Sequence, residues 1–147
     1  MNVSMLPRIV RSLGWPLSRW RLLAHAFLLH ASIAILLRIV PFGRLQLWGR
    51  AVYRTRSIAR TRQADAQLIA WAVRRAAALS RLEGTCLSEA LAAQWLLLAN
   101  GRSSSIRFGV GAASGSRFSA HAWLEYEDRT VTGRHAGAYQ PLFHAGS

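Results

Sequence analysis

The sequence has no lysine, one cysteine and only six acidic residues in 147 positions. A single thiol, Cys86, removes any intrachain disulfide and any cysteine-rich zinc site, and it fits a reducing compartment, so a cytoplasmic location is expected. Without lysine, the basic charge rests on nineteen arginines, for a formal net charge of +13. A phosphate-gripping surface ordinarily mixes both cations. Exclusive arginine beside abundant alanine and leucine points instead to compositional bias, so no nucleic acid partner is expected. The scarcity of carboxylates still leaves a positive field that attracts acidic peptides, phosphates or an anionic membrane surface. Apolar residues are not scarce: 52% hydrophobic against 17% charged, with a mean hydropathy of +0.15, places the chain far from the disordered regime. Its length suits one domain with a short arm. The opening MNVSMLPRIVRSLGWP lacks the apolar run and small-residue cleavage site of a secretory signal.

From Leu22 to Val40 the chain is almost continuously apolar, near the minimum for a bilayer span. His25, His30, Ser32 and Arg38 are spread around that helix, which leaves no single wet face and predicts a helix largely buried in protein or at a membrane surface, ended by Pro41. Arg44 to Arg62 reads as a basic connector carrying Trp48 and Tyr53, lying on solvent or anionic lipid. Between Ala64 and Leu82, Ile69, Ala72, Val73, Ala76 and Leu79 share one arc opposite Gln67, Arg74 and Arg81, as in an amphipathic helix. A second helix is expected over Thr85–Ala99 with Leu87, Leu91, Trp95 and Leu98 inward, closed by Asn100-Gly101.

Beyond Gly101 the apolar period falls to two. SIRFGVG and FSAHAWLEY read as strands, and a two-residue turn at Glu127-Asp128 leads into TVT. In FSAHAWLEY, Phe118, Ala120, Ala122, Leu124 and Tyr126 form an apolar face that needs cover, which the Leu22–Val40 helix is expected to supply; Ser119, His121, Trp123 and Glu125 line the other. The tail, with His135, Pro141, Leu142 and His144, reads as loop. Helices first and a small antiparallel sheet after them make the class α+β, with a helical and basic region over residues 1–63 and a core over 64–147.

Two residues carry chemistry. Cys86 opens a helix, where unpaired backbone N–H groups and the positive end of the macrodipole favour a thiolate. His121 lies mid-strand, placed to take the thiol proton and return it to a leaving amine. Backbone N–H groups beside Cys86 offer an oxyanion site. No cofactor or metal is called for. The blander account makes Cys86 a small core residue and His121 a packed one. The pairing is more specific, because nucleophile on a helix followed by base on a strand is the chain order of papain-like and transglutaminase-like cysteine enzymes. The remaining histidines read as structural.

TCLSEALAAQWLLLANG, IRFGV, FSAHAWLEY and the late YQPL, preceded by LLRIVPFGRL, resemble the leader peptidase of lasso-peptide biosynthesis over about Leu22 to Leu142. The resemblance implies a transglutaminase-like cysteine protease with a papain-like core, in which Cys86 and His121 remove the leader from a ribosomally made precursor peptide before a separate ATP-dependent cyclase closes the ring. In the split form of that system a separate small protein recognises the leader. The arm outside the core has no spare sheet edge for an extended leader, so delivery by such a partner is expected, with Arg44–Arg62 as its docking surface. The rival reading is a non-catalytic basic adaptor in peripheral contact with a membrane; an acyltransferase using the same pair is a third.

Members of the wider family often carry an acid about a dozen residues after the histidine, where this chain has Thr132, Gly133 and Arg134. A regular hairpin places position 121 near Arg134. Glu125 and Asp128 are about 13 Å and about 23 Å along the strand from His121, too far to orient it. A backbone carbonyl, Thr132 or an acid from elsewhere must serve.

Overall fold

The computed structural model describes residues 16–56, 65–81, 85–112, 118–133 and 139–146. Among these, helices α1 (Leu17–Leu36), α2 (Phe42–Arg56), α3 (Ala66–Ser80) and α4 (Thr85–Ala99) precede strands β1 (Ser105–Ala112), β2 (Phe118–Tyr126), β3 (Arg129–Thr132) and β4 (Gln140–Gly146). The strands form one antiparallel sheet ordered β3-β2-β1-β4. The fold is α+β, as the pattern of periods predicts.

Helix α4 is the hub. All three other helices and the first three strands pack against it. Its expected inner stripe is therefore too narrow: Ser88, Gln94 and the run Ala90–Ala93 are buried along with Leu91, Leu96 and Leu97. Small alanines let neighbours approach from several sides. Its end follows the expected chemistry, with Gly101 at φ +71°. There the Gly101 N–H donates to Leu98 O and the Arg102 N–H to Leu97 O, the paired bonds of a Schellman cap. The short link that follows folds β1 back beside the helix, and α4 covers β2, joining Ala122 and Leu124 to Ile106 and Leu91 in one core.

That arrangement overturns the expectation that the Leu22–Val40 helix covers the sheet. With the sheet face already taken by α4, α1 packs on α3 and α4 instead. It begins at Leu17, ends at Leu36 and buries only a narrow stripe, Ala26, His30 and Ile33. Within that stripe His30 Nε2 lies 3.1 Å from Ser88 Oγ of α4, and burial pulls the His30 pKa below its ordinary value. No helix of the described residues is long and apolar enough to cross a membrane.

The basic connector is also corrected. Phe42–Arg56 is helical, because Pro41 supplies a fixed N-terminal φ and its carbonyl accepts from the Arg44 and Leu45 N–H groups. Leu45 is fully buried. Gly49 meets the Trp95 indole so closely that a β-carbon would overlap the ring. On α3, Asp65 caps the start by accepting from the Gln67 N–H at 3.4 Å, and the buried arc contains Ile69, Ala72, Val73 and Ala76. Leu79 departs from it and is 61% exposed.

Glu127 and Asp128 both adopt positive φ, 49° and 57°, forming the expected two-residue hairpin turn. Past the turn, Glu125 pairs with Thr130 but Leu124 with Thr132. The bulge makes Val131 the extra residue and buries both Val131 and Thr132. It shifts the register by one, so the regular count that set Arg134 opposite His121 does not hold; Arg134 itself and His135 lie outside the described residues. Strand β4 replaces the expected tail loop. Its Pro141 is tolerated because β4 is an edge strand, hydrogen-bonded to β1 alone and shifted in register at Phe108/Gly109. The core thus presents β4 as a sheet edge, while the described residues of the N-terminal arm contribute no strand.

Candidate functional site

The bulge at Val131 has a consequence for α3. Its carbonyl, displaced from regular pairing, accepts from Arg74 Nη1 at 2.8 Å. Arg74 thereby ties the middle of α3 to the end of β3. One turn further along α3, Ala77 and Ala78 present only methyl groups, and an open cavity of about 370 Å³ lies beside them. Arg74 itself, Cys86 and Glu89 of α4, His121 of β2 and Gly133 complete its lining.

Cys86 is half-buried, the second residue of α4 and within its first turn. That turn contains no acidic residue to occupy its N–H groups. Glu89, three residues on, lies on the same side of the helix by the ordinary i, i+3 relation. His121 alternates onto the strand face opposite Ala122 and Leu124, yet it reaches this cavity. The described β2–β3 pairing stops at Leu124↔Thr132, three residues short of it, and across β1 it faces Gly109, which has no side chain.

Aromatic rings fix the imidazole. Tyr139, just before β4, stacks on it with centroids 4.8 Å apart and planes 28° from parallel. Trp123, two residues along the strand, lies at 6.2 Å and 22°. The Tyr139 hydroxyl is 3.4 Å from Ser119 Oγ, on the same strand face as His121. Gly133, at φ +85°, passes close beneath; a β-carbon there would meet the Trp123 Cβ and lie 3.1 Å from His121 Nε2.

The two acids set aside on distance are occupied at the other end of the strand or lie beyond it. Glu125 accepts from Arg107 Nε at 2.7 Å and from Trp123 Nε1 at 3.0 Å. Asp128 sits in the hairpin turn. Thr132 is buried, and its hydroxyl makes no hydrogen bond to His121. Among the described residues, the acidic one that lines the cavity is Glu89. Sequence reasoning overlooked Glu89, Arg74 and Tyr139. Glu89 had a legible signal in its helical spacing from Cys86, whereas the other two depend on the bulge and on β4. A second open cleft of about 250 Å³, bordered by Ser103, Arg107, Glu127 and Asp128, contains neither cysteine nor histidine.

A family model described as the Transglutaminase-like superfamily matches residues 28–144. That span runs from the middle of α1 into β4 and includes every residue lining the larger cavity. No curated protein and no solved structure matches the chain.

Proposed function

The chain belongs to the transglutaminase-like superfamily, and from that premise we propose that it is a cysteine peptidase with Cys86 as nucleophile and His121 as general base and acid. The observation that carries the reading is the single cavity lined by Cys86, at a helix N-terminus, and His121, held by aromatic stacking. His121 takes the thiol proton as the Cys86 sulfur attacks a peptide carbonyl. The first-turn N–H groups of α4 receive the developing oxyanion. Collapse breaks the C–N bond, and the imidazolium returns its proton to the departing amine. Water then attacks the thioester, giving its proton to His121, and the carboxylic product leaves with the thiol restored. Glu89 supplies the carboxylate that favours the transient imidazolium. An amine in place of that water would give acyl transfer by the same route.

The substrate we propose is the precursor of a lasso peptide, cut between leader and core so that a separate ATP-dependent cyclase can use the new amino terminus. The resemblance of the TCLSEALAAQW and FSAHAW blocks supports this finer reading. A separate leader-recognition protein delivers the precursor in this scheme. The edge of β4 offers an extended leader a second, direct route by strand addition, and assay with and without the recognition protein separates the two.

The test is mass spectrometry of precursor peptide incubated with wild-type, Cys86→Ala and His121→Ala proteins, with and without the recognition protein. Wild type should yield leader and core as free acid and amine. Each variant should stay folded and lose cleavage by several orders of magnitude, since nucleophile and base act as one unit. Release of core by Cys86→Ala at the wild-type rate would refute the peptidase reading. Products capped by an added amine would make the protein an acyltransferase.

A further inference from the structure

Charge is distributed unevenly along this chain. Eleven of the nineteen arginines precede Asp65, and none of the six acidic residues does. The helices in that part show an equally uneven apolar surface. On α1, Leu17, Leu28 and Ile35 are 64, 65 and 59% exposed. At 100° per residue the three lie within about 20° of one another, directly opposite Ala26, His30 and Ile33, so they form one outward stripe. Arg21 and Ala24 stand exposed in the same stripe, and Trp20, Phe27 and Ile39 are exposed beside or beyond it. Helix α2 repeats the composition, with Leu47 and Trp48 exposed next to Arg44.

We propose that the outward face of α1 docks in the plane of an anionic phospholipid bilayer, with the exposed Arg21, Arg38 and Arg44 of the described N-terminal residues holding lipid phosphates. The inference is independent of the cavity chemistry. An interfacial helix combines a stripe of large apolar residues, aromatic rings at headgroup depth and arginines whose stems lie along the apolar surface while their guanidiniums reach phosphate. Helix α1 presents these together. It lies on the membrane and does not span it, because its opposite side is committed to α3 and α4 and no described helix is apolar enough to cross. A second copy is a poor occupant: two such faces would bring two acid-free, arginine-rich segments against each other. A bilayer surface rich in anionic headgroups supplies both the opposite charge and an apolar interior.

The experiment is co-sedimentation of the full chain with vesicles of phosphatidylcholine alone and of phosphatidylcholine with phosphatidylglycerol. The variants are Leu28→Glu/Ile35→Glu and, as a control for an exposed leucine elsewhere, Leu79→Glu. Circular dichroism and thermal unfolding monitor the fold of each. Wild type and Leu79→Glu should bind anionic vesicles and release as salt rises from about 0.1 to about 1 M, where the Debye length falls from roughly 10 to 3 Å. Binding to neutral vesicles should be at least about tenfold weaker. The folded double variant should lose about tenfold or more in affinity for the anionic vesicles. The proposal is overturned if wild type fails to bind them, or if the folded double variant binds as tightly as wild type. It is also overturned if light scattering finds a dimer that the double variant dissolves while neither protein binds vesicles. Light scattering of a monomer that binds through Leu28 and Ile35 would support it.

Discussion

Substituting Gly133 by alanine tests the backbone and the site together. At φ +85° an L side chain is strained, and the added carbon would press on the Trp123 Cβ and approach His121 Nε2 to 3.1 Å. The left-handed conformation costs roughly 1–2 kcal/mol, and forcing one carbon into an occupied space about 1–3 kcal/mol. A loss of about 2–5 kcal/mol should therefore appear in urea unfolding. Thermal unfolding should fall by roughly 5–15 °C for a chain of this size. If Gly133 also sets the imidazole, kcat/KM measured well below the variant's melting temperature should fall further than the unfolded fraction explains. Gly101→Ala provides the comparison. It shares a positive φ, +71°, but lies at the far end of α4 from Cys86, about 22 Å away along a helix rising 1.5 Å per residue. It should lose about 1 kcal/mol and retain kcat/KM. A Gly133→Ala protein within about 0.5 kcal/mol of wild type and fully active would refute both the steric and the positioning arguments.

Tyr139→Ala should lower kcat/KM roughly two- to tenfold, the worth of an aromatic pair at about 0.5–1.5 kcal/mol, while Tyr139→Phe keeps the stack and stays near wild type; equal losses in both would assign the effect to the hydroxyl. Arg74→Met should destabilise by about 1–2 kcal/mol by leaving the Val131 carbonyl without its charged donor, read by urea titration, and an unchanged midpoint would mean that the bond contributes nothing. His30 predicts a pH dependence. Its folded pKa is lowered by burial, so the unfolded chain takes up a proton first as pH drops. Stability from this residue is complete above about 6.5 and declines below it by at most about 1.4 kcal/mol per pH unit. The His30→Gln protein should lack that component when unfolding is compared between pH 5.5 and 7.5; identical slopes in the two proteins would contradict it.

What was legible in the sequence was local. The Thr85–Ala99 helix and the FSAHAWLEY strand have the bounds expected of them because capping, turn chemistry and periodicity act over a few residues. What escaped was set by partners distant in sequence. Nothing in LLAHAFLLHASIAILLRIV says that α4 has already covered the sheet, so α1 must pack on helices and leave Leu28 and Ile35 outside. The bulge at Val131 depends on burying two consecutive residues and on an arginine 57 positions away. Strand β4 begins Gln-Pro and reads as loop until β1 is present to pair with it. Cys86 and His121 were legible as residue types in an order; their shared cavity requires the alanines of α3, which resemble any other core filler in sequence.

In the proposed mechanism, placing the acid on α4 changes what the rest of the fold must do. Where nucleophile, base and acid come from separate elements, three independent placements have to agree. Here Cys86 and Glu89 are one helical turn apart, and their relation is fixed by α-helix geometry alone. Only the imidazole then needs placing from outside. Tyr139 and Trp123 restrict its plane, and Gly133 passes beside Nε2 without filling the space. Arg74 fastens the Val131–Thr132 end of β3 to the helix that forms the other wall. Glu89→Gln and Glu89→Asp should consequently differ. The amide removes the charge that favours the imidazolium, and the pH–kcat/KM profile should move to lower pH on its acid limb as the His121 pKa falls. The shorter carboxylate preserves the charge and should restore part of that shift. A Glu89→Gln profile superimposable on wild type would place the stabilising acid elsewhere and leave Glu89 as a cavity wall.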